Sequence, residues 1–231
     1  MNFQFSILRL LQLAIVPVGA YSYSEGLETL VNLGIIYNDA SLKKWLENSL
    51  QFGAIRVESA IMIRAFRAIN LGDLKDLAYW NAWASAAKET EELRLQSWQM
   101  GRSLVKLLQD IHLPLQTKQI PSVLQSIEAC GSQCNFAIAF GIAAVNLEIE
   151  EAAAILGYLQ SWAANLVNAG VKLIPLGQTA GQQLLLDLNS QISLTAQESL
   201  RLENDDLSSC SWGLALASMA HETQYTRLFR S

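Results

Sequence analysis

Few residues in this sequence have side chains and spacings suited to chemistry. The two histidines are His112, in a connector that contains a proline, and His221, near the end of the chain. Neither has a second histidine at the helical spacing of a metal site, so a closed mononuclear site would need ligands from distant parts of the chain. Cys130 and Cys134 are four residues apart and could share a helix face. They are either ligands for a soft metal or, in the reading we favour, two buried, small apolar side chains.

The sequence also lacks the short motifs by which many enzymes are recognised. Residues 177–181, with the sequence GQTAG, contain two glycines but lack the Lys-Ser or Lys-Thr pair of a nucleotide-binding loop. No Gly-x-Ser-x-Gly nucleophile elbow occurs. The acidic pairs fall at predicted helix starts, where they complement the helix dipole. We therefore predict that the protein is not an enzyme and has no catalytic residues, no cofactor and no resident metal. The alternative is a helical enzyme whose site is assembled between helices.

The composition is that of a protein that buries much apolar surface. Its 231 residues are enough for one large domain with a sizeable core. Hydrophobic residues make up 51% and charged residues only 16%, so some apolar surface must be covered by partner chains or by a membrane. The net charge of −5 and the 16 scattered basic residues argue against nucleic-acid binding. Three cysteines, an odd number, indicate a reducing compartment, and we predict a cytoplasmic protein.

Two long uncharged segments raise the alternative of a membrane protein. Residues 129–147 and 152–171 carry no charged side chain, and each approaches the roughly 20 residues of a transmembrane helix. Amide side chains interrupt both segments, which is equally typical of the central helices of a globular bundle. Residues 10–20 resemble the apolar part of a signal peptide, but Arg9 is the only positively charged side chain before them, and Gln12 interrupts the apolar run. We predict a bundle without a membrane span and keep a membrane-associated bundle as an alternative.

Apolar residues recur with the period of a helix along the whole chain, without sustained strand-like alternation. The predicted fold is all-α, a compact single-domain multi-helix bundle over residues 1–231. Gly72 and Asp73 are expected to end one helix and to cap the next, and Thr195 with Glu198 is expected to form the capping box of a late helix. Further predicted helices cover residues 3–14, 24–33, 39–53, 54–69, 74–88, 89–108, 133–146 and 149–173.

The last eleven residues of the chain are unusually aromatic and basic. Tyr225, Leu228 and Phe229 have the i, i+3, i+4 spacing of one helix face and stand beside Arg227 and Arg230. Tyrosine and arginine are enriched in the hot spots of protein interfaces. The segment is therefore either an amphipathic terminal helix docked on its own domain or a docking segment for another chain.

Two neighbouring features bear on that choice. Residues 203–213 are polar, end in glycine and are predicted to form a flexible loop. Such a loop makes docking onto another chain plausible, so we predict that residues 214–231 form a C-terminal partner-docking segment. Near the start, residues 17–24 combine a glycine, hydroxyls and two tyrosines. This segment is either a helix connector with Ser22 or Ser24 as its N-cap or a second functional segment.

Five segments resemble motifs of the urease accessory protein UreF family. The first, LLQLAIVPVGAYSYSEGLE at residues 10–28, is similar to the opening motif of the family. The remaining four match later motifs in order and spacing, at residues 92–104, 136–144, 164–182 and 217–231. The resemblance covers the whole chain, and it implies an all-helical, typically dimeric protein.

The resemblance further implies a role in urease maturation. Members of the family form a complex with the accessory protein UreD, also called UreH, which recruits the GTPase UreG. The assembly inserts nickel into apo-urease with GTP hydrolysis. By resemblance, this chain is a scaffold that binds a UreD/UreH-type protein and recruits and regulates a UreG-type GTPase. The alternative is a helical interaction protein of another metallocentre-assembly system.

The resemblance also implies which residues bind partners. The tyrosine and the arginine at the positions of Tyr21 and Arg227 are tied, in the family, to formation of the accessory complex. We therefore predict these two as the main partner-binding residues. The supporting candidates are Tyr23, His221, Glu222, Tyr225, Phe229 and Arg230.

Two further expectations concern the same end of the chain. His221 and Glu222 are alternatively a pair that contacts nickel in transit. Ala215 and Ala220 stand where the family usually has an acidic residue and an arginine, so the charged contacts of those two side chains are not expected here.

Overall fold

The computed structural model describes residues 23–111 and 120–230 of the chain. Within these residues the regular structure is helical and no β-strand is assigned, which confirms the all-α prediction. The helices are α1 Leu27–Asn32, α2 Asp39–Phe52, α3 Ala54–Leu71, α4 Leu74–Ala86, α5 Glu91–Asp110, α6 Val123–Cys130, α7 Phe136–Asn146, α8 Glu151–Leu173, α9 Gln178–Ser199 and α10 Trp212–Glu222. The expected helix at 3–14, the signal-peptide alternative, His112 and Tyr21 lie outside the described residues.

Local signals end and begin the helices where they were expected to. Gly72 ends α3 in the left-handed conformation, with φ of 73°, which glycine adopts without steric cost. Asp73 then caps α4, because its carboxylate accepts hydrogen bonds from the amides of Lys75 (3.1 Å) and Asp76 (2.9 Å). The predicted junction between these two helices is confirmed.

The predicted capping box at Thr195 and Glu198 is wrong. Both residues lie inside α9, which runs without a break to Ser199. The Thr195 hydroxyl is buried and donates a hydrogen bond to the carbonyl of Leu50 in α2 (3.1 Å). The spacing of a threonine and a glutamate three residues later is the same in a capping box and inside a helix. The sequence alone therefore does not distinguish a capping threonine from one whose hydroxyl bonds to a neighbouring helix.

The centre of the bundle is α7. All its residues from Ala137 to Asn146 are buried, and it packs mainly against α3 and α5. Gly141 permits the close approach to α3, since a Cβ at this position would lie 2.9 Å from the carbonyl oxygen of Met62. The interpretation of the two uncharged segments as central helices is confirmed by α7 and α8. Among the helices described, none has both the length and the apolar character needed to cross a bilayer.

A buried amide network fixes the start of α7. Asn135 precedes the helix, and its side-chain amide contacts the carbonyl of Asn81 (2.9 Å) and the hydroxyl of Ser85 (2.8 Å), both in α4. Its side-chain carbonyl accepts a hydrogen bond from the hydroxyl of Ser97 in α5 (3.2 Å). The network therefore joins three helices at one point.

Asn135→Ala is expected to lower the free energy of unfolding by about 2–3 kcal/mol, because buried partners on α4 and α5 lose their hydrogen bonds. Urea denaturation followed by circular dichroism measures this loss. Asn70→Ala is the control, since the Asn70 amide donates a hydrogen bond to the carbonyl of Phe66 in its own helix and joins no second helix among the described residues. Equal stability losses in the two variants would contradict the role of the network.

The two cysteines do not share a helix face, so that expectation is wrong. Cys130 ends α6, Gly131 turns the chain with φ of 74°, and Cys134 follows before α7. Both thiols are buried. A hydrogen bond with Cys130, together with burial, raises the pKa of Cys134 well above its ordinary value. This environment is that of small core side chains. Across residues 23–111 and 120–230, no group of three or more His, Cys, Asp and Glu is placed to hold a metal ion.

Contacts to α2 and α3 hold parts of the segment predicted to be a flexible loop. Asn204–Asp206 form a 3-10 turn, and Asn204 accepts a hydrogen bond from the Arg64 Nε (2.9 Å). The amide of Cys210 donates to the carbonyl of Phe52 (2.7 Å). The flexibility of residues 203–213 and the assignment of residues 214–231 as a docking segment stay predictions.

Candidate partner interface at the C-terminal tail

The tail, residues 223–230, folds back over the start of α1. It follows α10 after Glu222 and has no regular structure. The interpretation of Tyr225, Leu228 and Phe229 as one helix face is therefore wrong. Phe229 is only 5% exposed, whereas Tyr225 and Leu228 face solvent. The tail thus has a buried anchor and an exposed apolar side.

Glu28 holds the tail in this conformation. Its carboxylate lies in the first turn of α1 and is buried. Oε1 accepts a hydrogen bond from the amide of Leu228 (2.7 Å), and Oε2 accepts one from the amide of Phe229 (2.9 Å). Hydrogen bonds to an ionised acceptor are about twice as strong as those between neutral groups. Because Glu28 engages both amides, neither is available for hydrogen bonds within a helix.

His221 joins three helices beneath the tail. Its ring is fully buried at the end of α10. Nδ1 lies 2.7 Å from Oε1 of Glu92 in α5, and Nε2 lies 3.5 Å from Oε2 of Glu28 in α1. The ring is therefore an internal tie in this conformation. A direct contact of His221 with a partner or with nickel stays a prediction, and it would require the tail to move.

Arg227 closes the tail onto the end of α10. Its Nε donates a hydrogen bond to the carbonyl of Gln224 (3.1 Å), and its Nη2 donates to the carbonyl of Glu222. Nη1 lies 3.8 Å from Oε1 of Glu92. Arginine near a helix C-terminus stabilises the last carbonyls, which have no partner within the helix. The planar guanidinium thus holds the tail against the end of α10, and a third of the Arg227 side chain stays exposed.

An open groove of about 640 Å³ lies between the tail and α5. Four predicted partner-binding residues line it, namely Tyr23, Glu222, Arg227 and Arg230. The opposite wall comes from α5 and includes Leu95, Trp98 and Arg102. The fold therefore brings the N-terminal motif, the motif at 92–104 and the C-terminal motif to a single groove. His221 and Phe229 lie buried, and Tyr225 is exposed on the tail.

Comparisons with known proteins agree with this arrangement. The sequence model of the UreF family matches residues 36–189. The chain belongs to the UreF family. It is 58% identical over 226 residues to the urease accessory protein UreF of a Nostoc species, covering 97% of this chain and 95% of that protein. It is 53% identical over 230 residues to the urease accessory protein UreF of Microcystis aeruginosa, covering 99% of each.

A more distant relative gives the same result. The urease accessory protein UreF of a Janthinobacterium species is 39% identical over 228 residues, covering 98% of both chains. The family model stops before the tail, but these relatives match nearly the whole length of the chain. The UreF resemblance inferred from the motifs is confirmed.

Two residues that organise the site were missed in the sequence. Glu28 and Glu92 both stand near helix starts, where the helix dipole is sufficient to explain an acidic residue. Both also lie within UreF-family motifs, at residues 10–28 and 92–104. That coincidence is the one signal by which they could have been chosen. Their shared partner, His221, lies more than 120 residues away from either one.

An exposed apolar stripe on α10 of this UreF-family chain was also missed. Trp212, Leu216 and Met219 have the i, i+4, i+7 spacing of one helix face and are 77%, 63% and 49% exposed. The opposite face, with Ala217, is buried against α1, so the helix is apolar on both sides. Such a helix has no amphipathic pattern to distinguish its exposed side. Ala220, at an exposed position of α10, adds no charge to this surface.

Proposed function

We propose that this UreF-family chain is a non-catalytic, cytoplasmic scaffold for the insertion of nickel into apo-urease. It binds a UreD/UreH-type accessory protein as a homodimer, recruits a UreG-type GTPase and regulates the GTPase step. Nickel is the cargo of this assembly. The name of the similar proteins, urease accessory protein, supports the proposal, as do the lean charge and the large apolar fraction of the chain.

The observation that carries the proposal is the groove between the tail and α5. It collects side chains from three separate family motifs, although these motifs are as far apart as residues 23 and 230. Its walls combine three glutamates and three glutamines with three arginines, a tyrosine, a tryptophan and a leucine. The aromatic and arginine side chains are of the types enriched at protein interfaces. The exposed Tyr225 and Leu228 of the tail and the α10 stripe offer further apolar side chains to a partner. A UreD-type partner seated there would cover these side chains.

Co-expression of the chain with UreD-type, UreG-type and urease subunits tests this function. We expect size-exclusion chromatography with light scattering to show a complex that contains two copies of this chain with the UreD-type and UreG-type proteins. Urease activity in the same cells should depend on the chain. A chain that neither associates with the UreD-type protein nor supports urease activation would exclude the proposal.

Tyr225→Ala is expected to weaken capture of the UreD-type partner about tenfold, because an interfacial tyrosine contributes on the order of 1–2 kcal/mol. The side chain is fully exposed, so the folded chain should be unaffected. Biolayer interferometry with the purified partner measures the change. Tyr37→Ala removes another exposed tyrosine, in the turn after α1, and should bind like the wild type. Equal binding by all three proteins would remove Tyr225 from the interface.

A further inference from the structure

A strained turn precedes α1. The amide of Leu27 donates a hydrogen bond to the carbonyl of Ser24 (3.0 Å), and the two residues between them have positive φ, 51° at Glu25 and 74° at Gly26. This is the pattern of a type I′ turn, in which Asn and Gly are preferred. A left-handed conformation is sterically unfavourable for a residue with a Cβ, such as glutamate. The glutamate at this position therefore points to a role of its side chain.

The Glu25 side chain is partly exposed and enters a small cavity between α3, α5 and α8 that is lined by both polar and apolar residues. Oε2 accepts a hydrogen bond from Nε1 of Trp162 in α8 (2.9 Å), and Oε1 accepts one from Nε2 of Gln96 in α5 (3.4 Å). The cavity volume is about 40 Å³, which is too small for a metabolite. These two hydrogen bonds attach the turn to the walls of the bundle.

The same cavity already holds an ion pair. Nζ of Lys88 is paired with Glu58 of α3, whose other oxygen accepts a hydrogen bond from the hydroxyl of Tyr158 (3.2 Å). The ammonium of Lys88 is thus paired with the carboxylate of Glu58, and an ionised Glu25 would place a second negative charge beside this pair. Burial, and then the charge of Glu58, raise the pKa of Glu25 from 4.5 to about 7.

The remaining neighbours do not reverse this balance. The charged and titratable groups that face Glu25 are Glu58 from α3, Lys88 and Glu89 from the segment after α4, and Tyr158 from α8. The cavity is also lined by neutral polar side chains of α5 and α8, namely Gln96, Ser97, Ser161, Trp162 and Asn165. A second pocket lined by Glu25 adds Cys210, from the segment before α10, and uncharged residues of α2. α10 contributes Leu214 to the lining, which is uncharged. The Trp162 hydrogen bond and Lys88 favour the ionised form, but they are outweighed by burial and the charge of Glu58.

We propose that Glu25 is a proton-controlled latch. When its carboxyl group is neutral it stays in the cavity and holds the turn at residues 24–27 against α5 and α8. When it is ionised it leaves the cavity and frees the turn. The turn lies between Tyr23, which lines the groove, and Glu28, which anchors the tail. Opening of the latch would therefore loosen the tail as well.

The direction of the pH effect follows from proton linkage. The closed state binds the Glu25 proton more tightly than the open state, in which the ordinary value of 4.5 applies. The closed turn is therefore most stable at low pH, and its stability falls as the pH rises from 4.5 to about 7 and then levels off. The opening equilibrium should increase about tenfold between pH 6 and pH 8.

Hydrogen–deuterium exchange of the whole purified chain tests the latch without any partner. Protection factors of a peptide covering residues 24–30, corrected for the intrinsic exchange rate, should fall about tenfold from pH 6 to pH 8. Glu25→Gln, which stays neutral, should keep the protection constant over this range. Glu198→Gln, at an exposed carboxylate near the end of α9, should behave like the wild type.

A second variant keeps the test decisive if Glu25→Gln does not fold. Glu58→Gln removes the repelling charge and leaves Lys88 to attract Glu25, so protection should level off at a lower pH than in the wild type. The latch is refuted if wild-type protection is independent of pH or if Glu25→Gln responds to pH like the wild type. It is also refuted if protection in Glu58→Gln levels off at the same pH as in the wild type.

Discussion

Arg227→Ala is expected to weaken capture of a UreD-type partner by about 30-fold or more and to abolish urease activation in cells, with an unchanged circular dichroism spectrum. The guanidinium donates hydrogen bonds to the carbonyls of Glu222 and Gln224, so its loss removes the contacts that hold the tail against the end of α10. The same side chain lines the groove. One substitution therefore removes both a positioning contact and a contact surface for the partner.

Matched variants separate these two contributions. Arg227→Lys keeps the charge but loses the planar fork that holds two carbonyls, and we expect intermediate binding. Arg201→Ala removes an exposed arginine just after α9 and should leave binding and activation as in the wild type. Pull-down with the purified partner and urease assays of cell lysates measure the series. Full urease activity in cells carrying Arg227→Ala would remove this residue from the proposed interface.

Gly101→Ala is expected to lower the free energy of unfolding by about 3 kcal/mol or more, the upper part of the range for an overpacked site. An alanine Cβ at this position in α5 would lie 2.0 Å from the carbonyl oxygen of Cys134 and 2.9 Å from the carbonyl carbon of Asn135. Both neighbours are backbone atoms, so no side chain can rotate away. The overlap must push α5 from the start of α7, and this exceeds the roughly 1 kcal/mol by which alanine favours a helix interior.

Chemical denaturation followed by circular dichroism measures that loss. Gly177→Ala is the control, because no atom in the part of the chain that the structure describes lies within 4 Å of a Cβ at that position. Its φ of −71° is also open to alanine, so we expect a change of less than about 1 kcal/mol. A Gly101→Ala variant as stable as the wild type would show that the contact between α5 and the start of α7 is loose.

Features that depend on neighbouring residues were predicted well. The end of α3 and the start of α4 require only Gly72, Asp73 and the amides of the next turn. The periodic apolar residues placed most helices to within a few residues of their bounds. The motif at Thr195 misled because its hydroxyl bonds to Leu50, which lies 145 residues away. A local pattern cannot reveal a partner on another helix.

The tail shows the same limit at the site itself. Its residue types predicted the interface candidates, and the fold brings Tyr23, Glu222, Arg227 and Arg230 to one groove. Its spacing predicted a helix face, but the amides of Leu228 and Phe229 bond to Glu28, about 200 residues earlier in the chain. The buried carboxylate of Glu28 therefore competes with the helical acceptors for these two amides, and the tail is not helical.

The sequence by itself therefore determined the helical class of this UreF-family chain, its family and the residue types of the proposed interface, because periodicity, caps and motifs are local. Only the tertiary structure decided which carboxylates matter. Glu28, Glu92 and Glu25 each stand near a helix start and look alike in the sequence. Packing gives the first two a shared histidine and places the third beside Glu58. The physical reason is that charge interactions depend on burial and distance, which the order of residues does not contain.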